Sequence, residues 1–284
     1  MATSFRLAAS HLVGWLADRS VPRFLRVPFY RTYGKLTGCN LDECRPPLNG
    51  YGSLGAFFIR RLVDGARPIL EDPGALVSPV DGTVQDVGPI GSDGAILQAK
   101  GRHYGLREFL AGIGECIPLE GGTAWTIYLS PRDYHRIHAP ESCELLSVRW
   151  VAGDRFSVNP KVLLRRDVFA VNERCVLELA TVHGPMLLVL VGALNVGRIR
   201  VIGVDPAHDG VLDAPRHFER GAELARFEMG STIVLLAPAA VATPIAGITQ
   251  GRTVQLGEGI GTFHKAAPSA QSSDHDVDST PSVS

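Results

Sequence analysis

The residues best suited to chemistry are an aspartate, two histidines and a serine, spread over three short stretches. Asp81 lies in Ser78-Pro79-Val80-Asp81-Gly82, at the entrance to the strand-like run Thr83–Val87. Asp before Gly is ordinary turn chemistry, because the carboxylate satisfies nearby backbone N–H groups. The same carboxylate could instead orient a histidine. His135 and His138 fall in the block Tyr128-Leu129-Ser130-Pro131-Arg132-Asp133-Tyr134-His135-Arg136-Ile137-His138-Ala139-Pro140. Histidine titrates near neutral pH, so the pair suits proton transfer. Metal ligation would need both rings on one helical face and a third ligand. The flanking Pro131 and Pro140 leave little room for such a helix, no third ligand stands out, and no metal is expected. Arg132 and Arg136 bring forked donors that suit phosphate or carboxylate, or structural ion pairs. Ser231 follows Gly230 in Phe227-Glu228-Met229-Gly230-Ser231-Thr232, ahead of the apolar run Ile233–Leu236. A Gly-Ser step there is usually a turn. It also suits self-cleavage: Gly tolerates a strained backbone and leaves its carbonyl open to attack, while Ser supplies the hydroxyl. No Gly stands two positions after Ser231, so this is not the nucleophile elbow of the α/β-hydrolases.

Short strands are the elements expected to carry these residues. Between about Ala75 and Thr243, the runs Thr83–Val87, Trp125–Leu129, Val176–Leu179, Met186–Val191, Ile199–Ile202 and Ile233–Leu236 are apolar or β-branched, and Gly, Pro or Asp bounds them. Leu106–Gly112 and Lys161–Val168 read as short helices or turns. The pattern predicts an α+β fold with a predominantly antiparallel, sandwich-like β core and N-terminal amphipathic helices. Three regions follow: a basic helical membrane-contact segment (1–62), a β-rich catalytic domain (63–265) and a disordered tail rich in Ser, Asp, Pro and Ala (266–284). No internal repeat is present.

Composition narrows the classes. The chain has 284 residues, 45% hydrophobic and 20% charged, a globular balance with no bias toward disorder. A net charge of −1 argues against a protein dominated by nucleic-acid phosphate contacts. The longest apolar run, Met186–Val196, is far shorter than a membrane-spanning helix. The five cysteines (39, 44, 116, 143 and 175) include no CxxC pair, which fits a reducing compartment and argues against a disulfide framework. Residues 1–20 lack the pattern of a signal peptide. The average charge conceals a contrast: residues 1–62 hold nine Arg/Lys against three Asp/Glu, net +6, so the remainder carries −7. Within this segment Phe5, Ala8, Leu12, Trp15 and Leu16 recur at helical spacing, and Phe24, Leu25, Phe29 and Tyr30 follow among arginines. Such helices either lie on an anionic membrane surface or pack on the body of the protein.

Taken together, the three stretches resemble, in order and spacing, those of the phosphatidylserine decarboxylase proenzymes. Phe57-Phe58-Ile59-Arg60-Arg61-Leu62 with Arg67-Pro68 looks like the family's upstream element. Ser157-Val158-Asn159-Pro160, Phe169–Arg174 and Val191–Gly197 resemble its central blocks. The resemblance covers roughly residues 50–240. Met229 stands where the family commonly has Leu, and Ala225 where a Gly is expected.

The resemblance implies a pyruvoyl enzyme that makes its own cofactor. Asp81, His138 and Ser231 match a charge-relay set in which His138 takes the Ser231 proton and Asp81 orients the imidazole. Ser231 then attacks the carbonyl of Gly230. Cleavage between them leaves a β chain ending at Gly230 and an α chain whose residue 231 is a pyruvoyl group. The two chains stay together as a heterodimer, and further pairing of that heterodimer is left open. The pyruvoyl ketone would form a Schiff base with phosphatidylserine in a membrane surface, releasing CO2 and phosphatidylethanolamine. By the same resemblance His135 protonates the α-carbon, and Arg132 and Arg136 are candidates for substrate binding. The implied place is the cytoplasmic face of the cell membrane, as a peripheral protein. Three rivals remain: a pyruvoyl enzyme for a soluble amino acid, a serine hydrolase using Ser231 without cleavage, and a non-catalytic β module.

Overall fold

The computed structural model describes residue 15 and residues 17–99, 102–158, 160–163, 165, 167–193, 199–228 and 231–264. The expectations placed on Phe5, Ala8, Leu12, Leu16, Asn159, Leu194–Gly197, Gly230 and the tail 266–284 lie outside the described residues.

The strands are β1 (Ala75–Val77), β2 (Gly82–Pro89), β3 (Ala95–Ala99), β4 (Arg102–Gly105), β5 (Thr123–Leu129), β6 (Arg136–His138), β7 (Cys143–Val151), β8 (Arg174–Thr181), β9 (Gly184–Gly192), β10 (Ile199–Val201), β11 (Gly210–Phe218), β12 (Glu223–Phe227), β13 (Ser231–Ala237), β14 (Ala242–Pro244), β15 (Thr253–Val254) and β16 (Gly259–Phe263). Eight of them form one sheet in the order β11-β7-β8-β9-β13-β5-β2-β15, and smaller sheets run β10-β12-β6, β1-β16-β14 and β3-β4. Every paired strand is antiparallel. The expected predominantly antiparallel β fold with an N-terminal helix is what the chain adopts.

The apolar runs explain the centre of the large sheet. Met186–Val191 of β9 and Ile233–Ala237 of β13 are completely buried, so their side chains find apolar partners on both faces. A continuous apolar run, rather than an alternating one, suits that position. The edge strand β11 is the opposite case. It carries Asp213, Pro215, Arg216 and His217, is mostly exposed, and its pairing with β7 shifts register between Val211 and Arg216. Charge, proline and a bulge are the usual means of keeping a sheet edge from pairing with another chain. In the stretch Lys161–Val168, read as a short helix or turn, the described residues include a helix over Pro160–Leu163 and a turn at Arg165.

Helix α1 (Arg23–Thr37) has two faces. Tyr30 is fully buried and stacks on Phe57 with ring centroids 4.5 Å apart, within a small apolar cluster that also holds Cys39 and Cys44. On the other side Phe24 is 80% exposed, Leu36 is 82% exposed, and Leu25 and Phe29 are exposed to a lesser degree. One face of α1 packs on the protein, and the other presents apolar residues beside Arg23, Arg31 and Lys35. No helix among the described residues is long and apolar enough to cross a membrane.

Candidate active site

Ser231 opens β13, where it pairs with Leu129 of β5 on one side and Gly192 of β9 on the other. Its side chain is completely buried, and its hydroxyl has no hydrogen-bond partner among the described residues. A buried hydroxyl left unsatisfied costs about 1–3 kcal/mol, which makes it a notable feature of this fold.

Beyond Leu129 the chain turns sharply. The Asp133 N–H donates to the Ser130 carbonyl at 2.9 Å, and the Asp133 carboxylate accepts from both the Ser130 N–H and hydroxyl at 2.7 Å. Pro131 fits the second position of such a turn. The turn delivers His135, whose carbonyl accepts the Phe227 N–H at 3.0 Å. Segments 129–135 and 227–231 are thus pinned to each other at both ends, Leu129 to Ser231 and His135 to Phe227.

His135 is fully buried against Phe58, ring centroids 4.0 Å apart. Its Nδ1–H donates to the Asp133 carbonyl at 2.9 Å, while Nε2 has no partner. Burial pushes its pKa down to about 3, with the Arg60 charge acting in the same direction. The imidazole is therefore neutral at physiological pH.

His138 ends β6. Its Nδ1 lies 2.7 Å from the Gly221 carbonyl and so carries the hydrogen, which leaves the Nε2 lone pair to accept from the Tyr134 hydroxyl at 3.3 Å. Burial lowers the pKa of His138 as well, partly opposed by the Gly221 bond. A neutral ring with a basic Nε2 is the form a general base requires.

Asp81 precedes β2. A Cβ on the following Gly82 would stand 2.6 Å from the Tyr128 carbonyl oxygen, so only glycine permits this approach of the loop to β5. The carboxylate does not orient the His138 ring directly in this structure. Arg67 grips it through Nε at 2.9 and 3.0 Å and Nη2 at 2.7 Å, and the Leu256 N–H adds a bond at 2.9 Å. These donors occupy both oxygens, and the Gly221 carbonyl takes the position at His138 Nδ1. The influence of Asp81 on His138 is through space, favouring the imidazolium.

The two candidate arginines differ. Arg136 is buried and committed to structure: it donates to the Ile59 carbonyl at 3.0 and 2.8 Å and forms an ion pair with Glu223. Arg132 is half-exposed, with a 3.6 Å contact to Asp133. It borders a cavity of about 200 Å³ that is also lined by Asp81, Arg67, Glu43, Asp133 and Tyr134. Tyr134 thereby links the cavity to His138 Nε2. Among the described residues no group of three or more His, Cys, Asp or Glu is placed to hold a metal.

The sequence reasoning assigned no role to Arg67, Tyr134, Asp133 or Arg60, although all four stand in the stretches it singled out. Arg60 donates to the Arg132 and Asp133 carbonyls at 2.8 and 3.1 Å, and the Tyr33 hydroxyl of α1 donates to that of Pro131 at 2.7 Å. The N-terminal region thus braces the turn that carries the histidines.

A self-processing decarboxylase is the class that such a site and strand junction suit, and comparison with known proteins agrees. The phosphatidylserine decarboxylase family profile matches residues 54–262. The phosphatidylserine decarboxylase proenzyme of Pseudomonas fluorescens is 40% identical over 267 residues, covering 89% of this chain and 92% of the relative. That of Marinobacter nauticus is 39% identical, covering 91% and 94%, and that of Bordetella pertussis is 41% identical, covering 80% of each. The chain belongs to the phosphatidylserine decarboxylase family.

Proposed function

We propose that this chain is the precursor of a phosphatidylserine decarboxylase and cuts itself between Gly230 and Ser231. The observation that carries the cleavage site is the Ser231 hydroxyl, buried and unpartnered at the first residue of β13.

In this account His138 Nε2 removes the Ser231 proton, and Oγ attacks the Gly230 carbonyl carbon. The C–N bond breaks, the proton passes to the freed nitrogen, and an ester replaces the peptide. Loss of the residue 231 α-proton and cleavage of its Cβ–O bond then release the Gly230 carboxylate. Water replaces the nitrogen, ammonia leaves, and residue 231 becomes a pyruvoyl group. Its position suits such a group, because the buried end of β13 holds residue 231 between two strands and away from bulk water. β13 pairs with β5 and β9, which belong to the other fragment, so the two chains remain one molecule after the cut.

A pyruvoyl group at residue 231 would supply an electrophilic ketone for the substrate amine and an electron sink for the loss of carbon dioxide. His135 is assigned the proton. Its Nε2, buried and without a partner, is the atom that would pass a proton to the α-carbon. Arg132, half-exposed at the cavity, is the better placed of the two arginines for a phosphate or carboxylate. Asp81 supports His138 electrostatically, and Arg67 positions Asp81.

The exposed face of α1 supports attachment to a membrane surface. Phe24, Leu25, Phe29 and Leu36 with flanking cations form the apolar-plus-basic face of an interfacial helix. The chain leaving α1 reaches Gly38, Asn40 and Glu43, which line the cavity beside Asp81. A peripheral enzyme on the cytoplasmic face would thereby hold its cavity close to its lipid substrate. The test is decarboxylation of phosphatidylserine in vesicles: purified wild type should release carbon dioxide, and Ser231→Ala should release none. Equal release by both would refute the assignment.

A further inference from the structure

The one lone pair that His138 has for use as a base is already taken. Nδ1 donates to the Gly221 carbonyl at 2.7 Å, so Nε2 is the unprotonated nitrogen, and its hydrogen-bond partner is the Tyr134 hydroxyl at 3.3 Å. The two rings have centroids 5.6 Å apart and planes tilted by 39°. Tyr134 is 6% exposed, and burial pushes its pKa up to about 12, so its hydroxyl keeps its proton and acts as the donor. The Ser231 hydroxyl must give its proton to the same nitrogen in the self-cleavage step, yet it bonds to neither His138 nor Tyr134. The acceptor nitrogen of a neutral imidazole has a single lone pair, so the two hydroxyls compete for it. Tyr134 also borders the cavity of about 200 Å³, which gives its hydroxyl space to turn into on leaving Nε2.

We propose that Tyr134 is a positioning residue for self-cleavage: its hydroxyl latches His138 Nε2 in the precursor, and Ser231 gains the base when that latch opens. The proposal rests on the assignment of His138 as the base for Ser231. Tyr134 keeps its own proton throughout, and only the acceptor of its hydrogen bond changes. The latch has two effects. It withholds the base from part of the population, which slows cleavage. It also stabilises the neutral imidazole, because a hydrogen bond to the uncharged form disfavours protonation. The charged groups around the pair are Glu223 of β12, which pairs with His138, Arg136 on β6, Asp81 in its fork with Arg67, and Arg61, which acts on Tyr134. A Tyr134→Phe exchange alters none of them, so a change in the titration of His138 reports on the hydroxyl.

The test follows cleavage of the full chain, made by cell-free translation with a short radioactive pulse and chased over about pH 5 to 9, the range in which histidine titrates. Loss of the full-length band gives the rate. Tyr134→Phe keeps the ring and removes the hydroxyl. It should cleave about three- to tenfold faster than wild type on the alkaline plateau. The midpoint of its acid limb should lie about half a unit to one unit higher. A merely structural role for Tyr134 predicts slower cleavage and an unmoved midpoint. A rate at or below that of wild type, or an unshifted midpoint, would overturn the latch. His138→Ala, run alongside, should stay uncut. Cleavage of His138→Ala at the wild-type rate would refute His138 as the base and the latch with it. An uncut His138→Ala beside an unchanged Tyr134→Phe would refute the latch alone.

Discussion

Removing Arg67 should unsettle the site more than removing any surface cation. The Arg67 and Asp81 side chains are only 10% and 9% exposed, and three contacts of 2.7–3.0 Å join them. Arg67→Ala leaves the Asp81 carboxylate buried with the Leu256 N–H as its remaining donor, and also strips Glu43 of its partner at 2.8 Å. An orphaned buried charge costs about 3–5 kcal/mol. Against a total stability of about 5–15 kcal/mol, that is a large fraction. The measurement is urea unfolding of the uncleaved Ser231→Ala protein, followed by fluorescence of the fully buried Trp125. Pairing Arg67→Ala with Asp81→Asn removes the stranded charge, so the double variant should lose about 2 kcal/mol less than the sum of the singles. A loss below about 1 kcal/mol for Arg67→Ala, or strict additivity, would refute the view that Arg67 holds Asp81 in place.

The buried histidines predict an acid-sensitive fold. The folded pKa of His135 is near 3, against about 6.5 when unfolded, so between these values the unfolded chain holds the extra proton. Stability should be full above about pH 6.5 and fall by about 1.4 kcal/mol per pH unit below it, His138 acting in the same direction. Urea titrations should show a shallower decline when His135→Gln is added to Ser231→Ala; parallel pH curves would contradict this. On activity, His135→Ala should still be processed but lose decarboxylation about 10²-fold or more, and full turnover would end its assigned role. At the membrane, Phe24→Asp with Leu36→Asp should cut binding to anionic vesicles more than tenfold with no change in unfolding midpoint, because both side chains are at least 80% exposed. Unchanged vesicle binding would place the contact elsewhere.

The central strands were readable because β9 and β13 carry the unbroken apolar runs Met186–Val191 and Ile233–Ala237, a signal that needs no knowledge of neighbours. β7 and β11 were not, since each mixes charged and apolar residues, β11 as the exposed edge strand and β7 as its neighbour. The candidate residues stood out for the same local reason: Asp81, His135, His138 and Ser231 sit in short stretches of uncommon composition. Their partners did not. The Arg67–Asp81 fork joins residues 14 apart, and the group on His138 Nδ1 is a backbone carbonyl 83 positions away, which has no residue-type signature. α1 shows a third limit. Its apolar residues divide between a buried Tyr30 and an exposed Phe24, and composition alone cannot tell a packed face from a free one.

The most direct test of the central claim is the intact mass of the purified wild-type protein beside Ser231→Ala. Two polypeptides are predicted for wild type, residues 1–230 and 231–284, the smaller lacking a free amino terminus, and one full-length chain for the variant. A single uncut chain in a wild-type preparation that decarboxylates phosphatidylserine would contradict the account.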